Sequence, residues 1–395
     1  MSNSPLSFDD TSTAFAIRSN AELKRSFLLF SSMKYPWMVK AGTILTAKAL
    51  QWRLPVKGLI RKTLFKQFCG GESIQDCQHT INQLAKFGVQ TILDYSVEGK
   101  GSETSFDTTL EEAMRVASFA KTEANIAFCV IKFTGLGPSE LMAKKQAGKA
   151  LTEEETNRYQ KFEDRVHQLA QHTVDCGLRF MVDAEETWIQ DEIDRLVIAL
   201  MKRFNQEKPA VYNTYQMYRH QALNNMHSHF DEVTAAGCYF GAKLVRGAYM
   251  EKERERAYQL GYQDPIQKNK ESTDRDFNAG VVFALNNIEQ FGLCAGTHNE
   301  HSSSLLAKMI VDRELGKQHD HIHFAQLLGM SDNISFKLSE QEFNVAKYVP
   351  YGPVEKVLPY LFRRAEENTS IAGQSGREIT LVKKELDRRK SEQKY

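Results

Sequence analysis

Past residue 85 the chain alternates between two hydrophobic patterns. Short continuous apolar runs, rich in β-branched and aromatic residues, are separated by longer stretches whose apolar positions recur at helical spacing. The runs are VQTILDYSV (89–97), IAFCVIKFTG (126–135), LRFMVDAEE (178–186), AVYNTYQMY (210–218), FGAKLVRGAY (240–249), GLCAGTHN (292–299), IHFAQLLGM (322–330) and FNVAKYVPYG (343–352), eight in all. Continuous rather than alternating apolar character marks strands buried on both faces, as in a parallel sheet. Helix-like segments such as TTLEEAMRVASFAKTEA, DEIDRLVIALMKRF and HSSSLLAKMIVDRELG lie between most of them. The longest interval, between runs two and three, predicts an inserted loop and then a helix opened by a capping box of Thr152 and Glu155.

Eight βα units over roughly 280 residues predict an α/β fold of the (β/α)8 barrel type, whose usual size is about 250 residues. The competitor is a doubly wound sheet, but no G-x-G-x-x-G follows any run. The expected organisation is a basic helical arm (1–85), a barrel catalytic domain (86–370) and a charged tail (371–395) that forms a helix or a frayed end.

Composition narrows the picture little. The 395 residues are 42% hydrophobic and 26% charged, with a net charge of +1, so nothing points to nucleic acid. Six scattered cysteines without a C-x-x-C pair suggest a reducing compartment and exclude a zinc site built on cysteine. The early acids of MSNSPLSFDDTSTAF argue against a signal peptide, and no apolar run of about 18 residues offers a spanning helix. The charge is unevenly placed, however. From Leu23 to Gly71 there is no acid, while ten lysines and arginines interleave with Trp37, Met38, Ile44, Leu45 and Trp52. Such a stretch fits either a packed arm with snorkelling lysines or an interfacial helix on a membrane, and the two are compatible.

In a barrel, chemistry sits at the carboxyl ends of the strands. Those positions carry Asp94, Lys132, Asp183 with Glu185 and Glu186, Gln216, Lys243 and Arg246, Thr297 with His298, Gln326 and Tyr348. Any one of them alone reads as a strand-end residue facing solvent, and it is their convergence that points to a site. A late helix, VLPYLFRRAEEN (357–368), adds Arg363 and Arg364, with Glu367 at i+4 and i+3 from them. Paired guanidinium forks suit a carboxylate held over the barrel mouth. The histidines of HDHIH (319, 321, 323) and HSH (227, 229) raise a metal-dependent barrel hydrolase as a rival. His319 and His321 precede strand seven, the wrong end for chemistry, and His227 and His229 are expected on a helix where i+2 spacing points them apart.

The series VIKFTGLG, MVDAEET, YNTYQMY, AKLVRGAYMEKERERA, GTHN, FAQLLGM and KYVPYGPVEKVLPYLFRRAEENTS resembles the proline dehydrogenases, in matching order over residues 86–370. The resemblance is to the stand-alone type rather than the type fused to an aldehyde dehydrogenase. It implies a distorted TIM-like barrel, FAD as cofactor and oxidation of L-proline to 1-pyrroline-5-carboxylate, with electrons passed to a quinone. Carried over by position, it implies that Arg363 and Arg364 grip the proline carboxylate, with Lys132 across the site, Asp183 ion-paired in the cluster and Glu367 orienting the arginines. Leu328 and Tyr348 would wall the pyrrolidine ring. FAD would be held by Ala184, Gln216, Lys243, Arg246, Gly247, Ala248, Tyr249, Thr297, His298, Asn299 and Gln326, with Asp183, Lys243 and Arg246 nearest the chemistry. Many relatives read Arg-Leu-Val-Lys where this chain has Lys243-Leu-Val-Arg246, so the two cations are exchanged. Within the family 4-hydroxyproline is the alternative substrate, which Tyr348 should crowd. The expected location is a bacterial-type cytoplasm, with the basic arm giving peripheral contact at the inner face of the membrane, or the mitochondrial matrix in a eukaryote.

Overall fold

The computed structural model describes residues 6–52, 56–97, 101–370 and 374–392, apart from the side chains of 36, 47, 49–51, 366–370, 374 and 375. Each of the eight apolar runs contributes one strand: β1 (Val89–Tyr95), β2 (Ile126–Ile131), β3 (Arg179–Val182), β4 (Val211–Gln216), β5 (Phe240–Val245), β6 (Phe291–Gly296), β7 (Ile322–Leu327) and β8 (Val345–Tyr351). They close into a parallel barrel in sequence order. The register of β1 on β8 runs from Val89↔Val345 to Tyr95↔Tyr351. β2, β4 and β8 are buried along their whole length, which is why their sequences lack alternation.

The chain divides into two compact units. The first consists of residues 99–325 and holds β2 to β6 with most of β7. The long interval after β2 contains a short helix, Ser139–Gln146, before the expected one, Glu153–Asp175. Thr152 and Glu155 form the capping box at its start. Two helices, Met250–Leu260 and Lys270–Asn286, fill the interval between β5 and β6. His227 and His229 lie on the helix Ala222–Ala235, and His319 and His321 precede β7.

The second unit joins residues 1–98 to 326–395. After one helical turn, Thr11–Ala14, its arm continues with the helix Asn20–Met33, opened by a Ser19–Glu22 capping box. Phe30, Met33, Ile60, Phe65 and Phe68 from the arm share a buried cluster with Val357 and with Leu358, Leu361 and Ala365 of the late helix Leu358–Ser370. The charged tail is a helix, Gln374–Glu392, that packs Leu381 and Val382 on Ala14, Phe15 and Leu23. Arg389 anchors it further by donating to the carbonyls of Phe15 and Arg18. The tail is therefore a docked element, held by an apolar stripe that its high charge obscured.

Candidate active site

In the unit of residues 99–325 the polar strand ends are organised in pairs. Lys243 on β5 is buried and makes a close ion pair with Asp183, the residue that follows β3. Arg246, one residue beyond β5, is held at three points. It donates to Asp274 Oδ1 at 2.6 Å, Thr297 Oγ1 at 2.6 Å and Ser302 Oγ at 2.9 Å. Its guanidinium also lies 4.5 Å from the centre of the Phe277 ring. Burial lowers the Arg246 pKa despite the Asp274 carboxylate beside it. For Asp274 burial pulls upward, but hydrogen bonds from Lys270 and Arg246 prevail and hold it below 3.8. The two cations that resemble one another in sequence thus have distinct settings: Lys243 inside the barrel wall, Arg246 spread over the helices that follow β5 and β6.

Two features fit a large planar ligand with its own donors. Gln216 ends β4, is 4% exposed, and its Oε1 is buried without a hydrogen-bond partner. An orphaned buried acceptor is costly unless a ligand supplies a donor. Beyond β5, Gly247 has φ +125°, and a Cβ there would meet the Tyr218 ring at 2.5 Å. Gly247 and Ala248 are exposed, so bare backbone faces outward at this point. These residues fit the demands of an FAD isoalloxazine. Thr297 and Asn299 serve locally as well: Asn299 caps the helix Glu300–Asp312 by accepting from Ser302 N–H, and Thr297 Oγ1 accepts from Asn299 N–H. Ala184 is buried, while His298 and Tyr249 are half-buried, Tyr249 immediately before the helix Met250–Leu260.

Lys132 follows β2 and is half-buried. Its neighbours in the turn are fixed by Glu185, a strand-end carboxylate whose spacing alone pointed to no separate role. Glu185 accepts from Thr134 N–H at 3.0 Å and from the Thr134 hydroxyl. Burial pushes its pKa up to about 7, against the pull of those bonds and of Lys132.

In the other unit, Tyr348 is buried on β8, and its carbonyl accepts from Leu328 N–H at 2.8 Å. Gln326 on β7 accepts from the Ser335 hydroxyl at 2.8 Å. Arg363 and Arg364 are half-buried on the helix Leu358–Ser370, whose inner face is Leu358, Leu361 and Ala365. Arg364 lies over the Tyr360 ring at 5.4 Å. Glu367 falls on that helix, but its side chain lies outside the described residues. Among the described residues no group of three or more His, Cys, Asp or Glu side chains is arranged to hold a metal ion.

A family model described as proline dehydrogenase matches residues 77–377. The chain belongs to the proline dehydrogenase family. It is 33% identical over 429 residues to proline dehydrogenase 1, mitochondrial, of Dictyostelium discoideum, covering 96% of this chain and 74% of that one. It is 31% identical over 435 residues to the hydroxyproline dehydrogenase of Mus musculus, covering 98% and 94%. Among solved structures, proline utilization A from Bdellovibrio bacteriovorus superimposes with a TM-score of 0.71 at 19% identity. That match covers 92% of this chain and 36% of the other, and it carries the fold alone. The family assignment agrees with the barrel and with the motif order read from the sequence.

Proposed function

We propose that this protein is an FAD-dependent dehydrogenase that oxidises L-proline to 1-pyrroline-5-carboxylate and passes the electrons to a quinone, in a route from proline towards glutamate. The observation that carries this reading is the family match over residues 77–377. Residues 86–370 would form the catalytic domain, 1–85 a basic arm and 371–395 a tail.

Arg363 and Arg364 would clamp the substrate carboxylate, with Lys132 as a third cation, Asp183 balancing the group and Glu367 orienting the arginines. Leu328 and Tyr348 would wall the pyrrolidine ring. Gln216 would satisfy its orphaned Oε1 on a cofactor N–H, and Gln326, Lys243, Arg246, Thr297, His298 and Asn299 would contribute further polar contacts. The backbone of Ala184 and of Gly247, Ala248 and Tyr249 would approach the ring system closely. When bound, FAD would supply the acceptor for the hydride at proline C5. The protein's part is to present C5 in line and to keep the amine unprotonated. Several cations near the amine favour its neutral form by like-charge repulsion, lowering its pKa. The nitrogen lone pair forms the C=N bond as the hydride leaves C5, and the resulting iminium gives up its N–H proton to water to yield the neutral imine.

A second reading, 4-hydroxyproline oxidation, is favoured by the 31% identity to a hydroxyproline dehydrogenase over nearly the whole chain. Tyr348 supports proline instead, because a bulky phenol leaves little room for a 4-hydroxyl group. The deciding experiment is an absorption spectrum of purified protein before and after anaerobic L-proline. Flavin bands that bleach with L-proline are expected. Bands that bleach only with 4-hydroxyproline transfer the assignment to that substrate, and a protein without flavin that stays inactive after added FAD ends it.

A further inference from the structure

A largely buried ionic cluster lies in the unit formed by residues 1–98 and 326–395, built from residues that are not themselves assigned to substrate or cofactor. At its centre is Lys347 on β8, whose side chain is 0% exposed. Its three ammonium N–H donors meet three acceptors: Asp332 Oδ1 at 2.9 Å, the Met330 carbonyl at 2.5 Å and the Leu327 carbonyl at 3.3 Å. Asp332 uses its other oxygen on Arg18, which donates through Nε and Nη2, each at 2.9 Å. Glu378 on the docked tail helix accepts from Ser331 N–H at 2.6 Å. Gln67 of the arm donates to the Gly329 carbonyl at 2.8 Å and accepts from the Ser26 hydroxyl at 2.8 Å.

All these contacts converge on one turn, residues 327–332, between β7 and the helix Asp332–Glu340. The turn needs holding. Ser331 has φ +50°, where a side chain is strained, and Gly329 has φ +79°. A Cβ at Gly329 would lie 2.0 Å from the Gln67 carbonyl oxygen, so only glycine lets the arm come this close. The turn carries Leu328, whose N–H is bonded to the Tyr348 carbonyl. Lys347 and Tyr348 are consecutive on β8, so their side chains point to opposite faces of the sheet. One residue therefore grips the turn from behind while the next faces the other side.

Apolar side chains of similar volume in place of both Lys347 and Asp332 would keep the stability of this region, so stability alone does not call for the buried pair, whereas removing Lys347 by itself strands a buried carboxylate. What an apolar side chain cannot do is bind two carbonyls and a carboxylate of the same turn at once. We propose that Lys347 is a positioning residue for substrate binding: with Asp332 and Glu378 it fixes the 327–332 turn, and through it the placement of Leu328 relative to Tyr348. The inference rests on the reading above that these two side chains wall the pyrrolidine ring. It also gives the arm and the tail helix a role in the active site without either touching substrate.

The test compares K347M, E378A and E378Q with the wild-type full chain, measuring KM and kcat for L-proline, the thermal midpoint and its shift on adding L-proline. Loss of the clamp misplaces a pocket wall, which costs on the order of tenfold or more in binding. K347M should raise KM about tenfold with a smaller change in kcat, and E378A should shift KM in the same direction. E378Q keeps an oxygen for Ser331 N–H and should return KM to near the wild-type value. Because K347M leaves Asp332 with one cation, the Glu378 pair decides the matter if K347M does not fold. Wild-type KM in E378A, with a lowered thermal midpoint, reduces the cluster to a purely structural role and overturns the inference. A wild-type protein that oxidises neither L-proline nor 4-hydroxyproline overturns the parent reading, and this inference with it.

Discussion

The pair Lys243–Asp183 shows how a single deletion separates stability from chemistry. Lys243 is 4% exposed, so Asp183→Ala leaves a buried ammonium without its carboxylate. Removing one member of a buried pair costs about 3–5 kcal/mol, whereas removing both is far cheaper. The double variant D183A/K243M should therefore recover much of the thermal midpoint lost in D183A. Activity should follow a different rule: kcat/KM for L-proline falls at least about tenfold in D183A and stays low in the double variant. A folded D183A with wild-type kcat/KM would remove Asp183 from the site. Gly247 offers a sharper steric case, since both its φ of +125° and the Tyr218 ring at 2.5 Å oppose a Cβ. Gly247→Ala should lower stability by about 1–3 kcal/mol and reduce the flavin retained on purification. An unchanged flavin-to-protein ratio would detach this backbone from the cofactor.

Among the elements, the turn after β2 depends on the titration of Glu185. Burial holds its carboxyl at about 7 in the folded protein, against 4.5 for the free group. Between about pH 4.5 and 7 the folded state keeps a proton that the unfolded state has released, so this group's contribution to stability falls as pH rises through that window. It is complete below the window and lost above it, an effect of roughly 3 kcal/mol at most. Urea midpoints measured at pH 5 and pH 8 should differ less in Glu185→Gln than in the wild type, and identical differences would show that Glu185 does not titrate there. The same elements show what was legible in the sequence. Strand bodies were, because burial on both faces leaves an unbroken apolar run. Their ends were overextended, since Phe133, Ala184, Met217 and Tyr218 remain buried beyond the last ladder residue. Lys243 and Arg246 were legible from position as strand-end cations, but their pairing with Asp183 and Asp274 is set by tertiary contact. Lys347 was invisible as anything but one charge in an apolar run. The tail helix was obscured because its partners, Ala14, Phe15 and Leu23, lie at the other end of the chain.

At the scale of the whole molecule, the surface of the arm is the feature most in need of a partner. Of the fifteen large hydrophobic side chains exposed among the described residues, eight fall between Leu28 and Leu59. Trp37 and Trp52 are each 69% exposed and Leu45 67%, in a stretch that also presents Lys34, Lys40 and Lys48 to solvent. Lys57, Arg61 and Lys66 are paired with Glu355, Glu72 and Glu22, whereas the segment from Leu23 to Gly71 contributes no acid of its own. No described helix is long and apolar enough to cross a membrane. Tryptophan with lysine on one helix suits the headgroup region of an anionic bilayer, where each lysine adds about 1 kcal/mol. That location also suits an enzyme whose proposed electron acceptor is a quinone. Deleting the arm is a poor test, because Phe30, Met33, Phe65 and Phe68 belong to the cluster that supports the arginine helix. Surface substitution is the better one. The variant W37E/L45E/W52E should lose flotation with phosphatidylserine-containing liposomes while keeping its activity with a water-soluble acceptor. Wild-type binding should weaken as salt rises and vanish on neutral vesicles. Flotation of the triple variant at the wild-type level would free the arm from this role and leave its exposed tryptophans to a different partner.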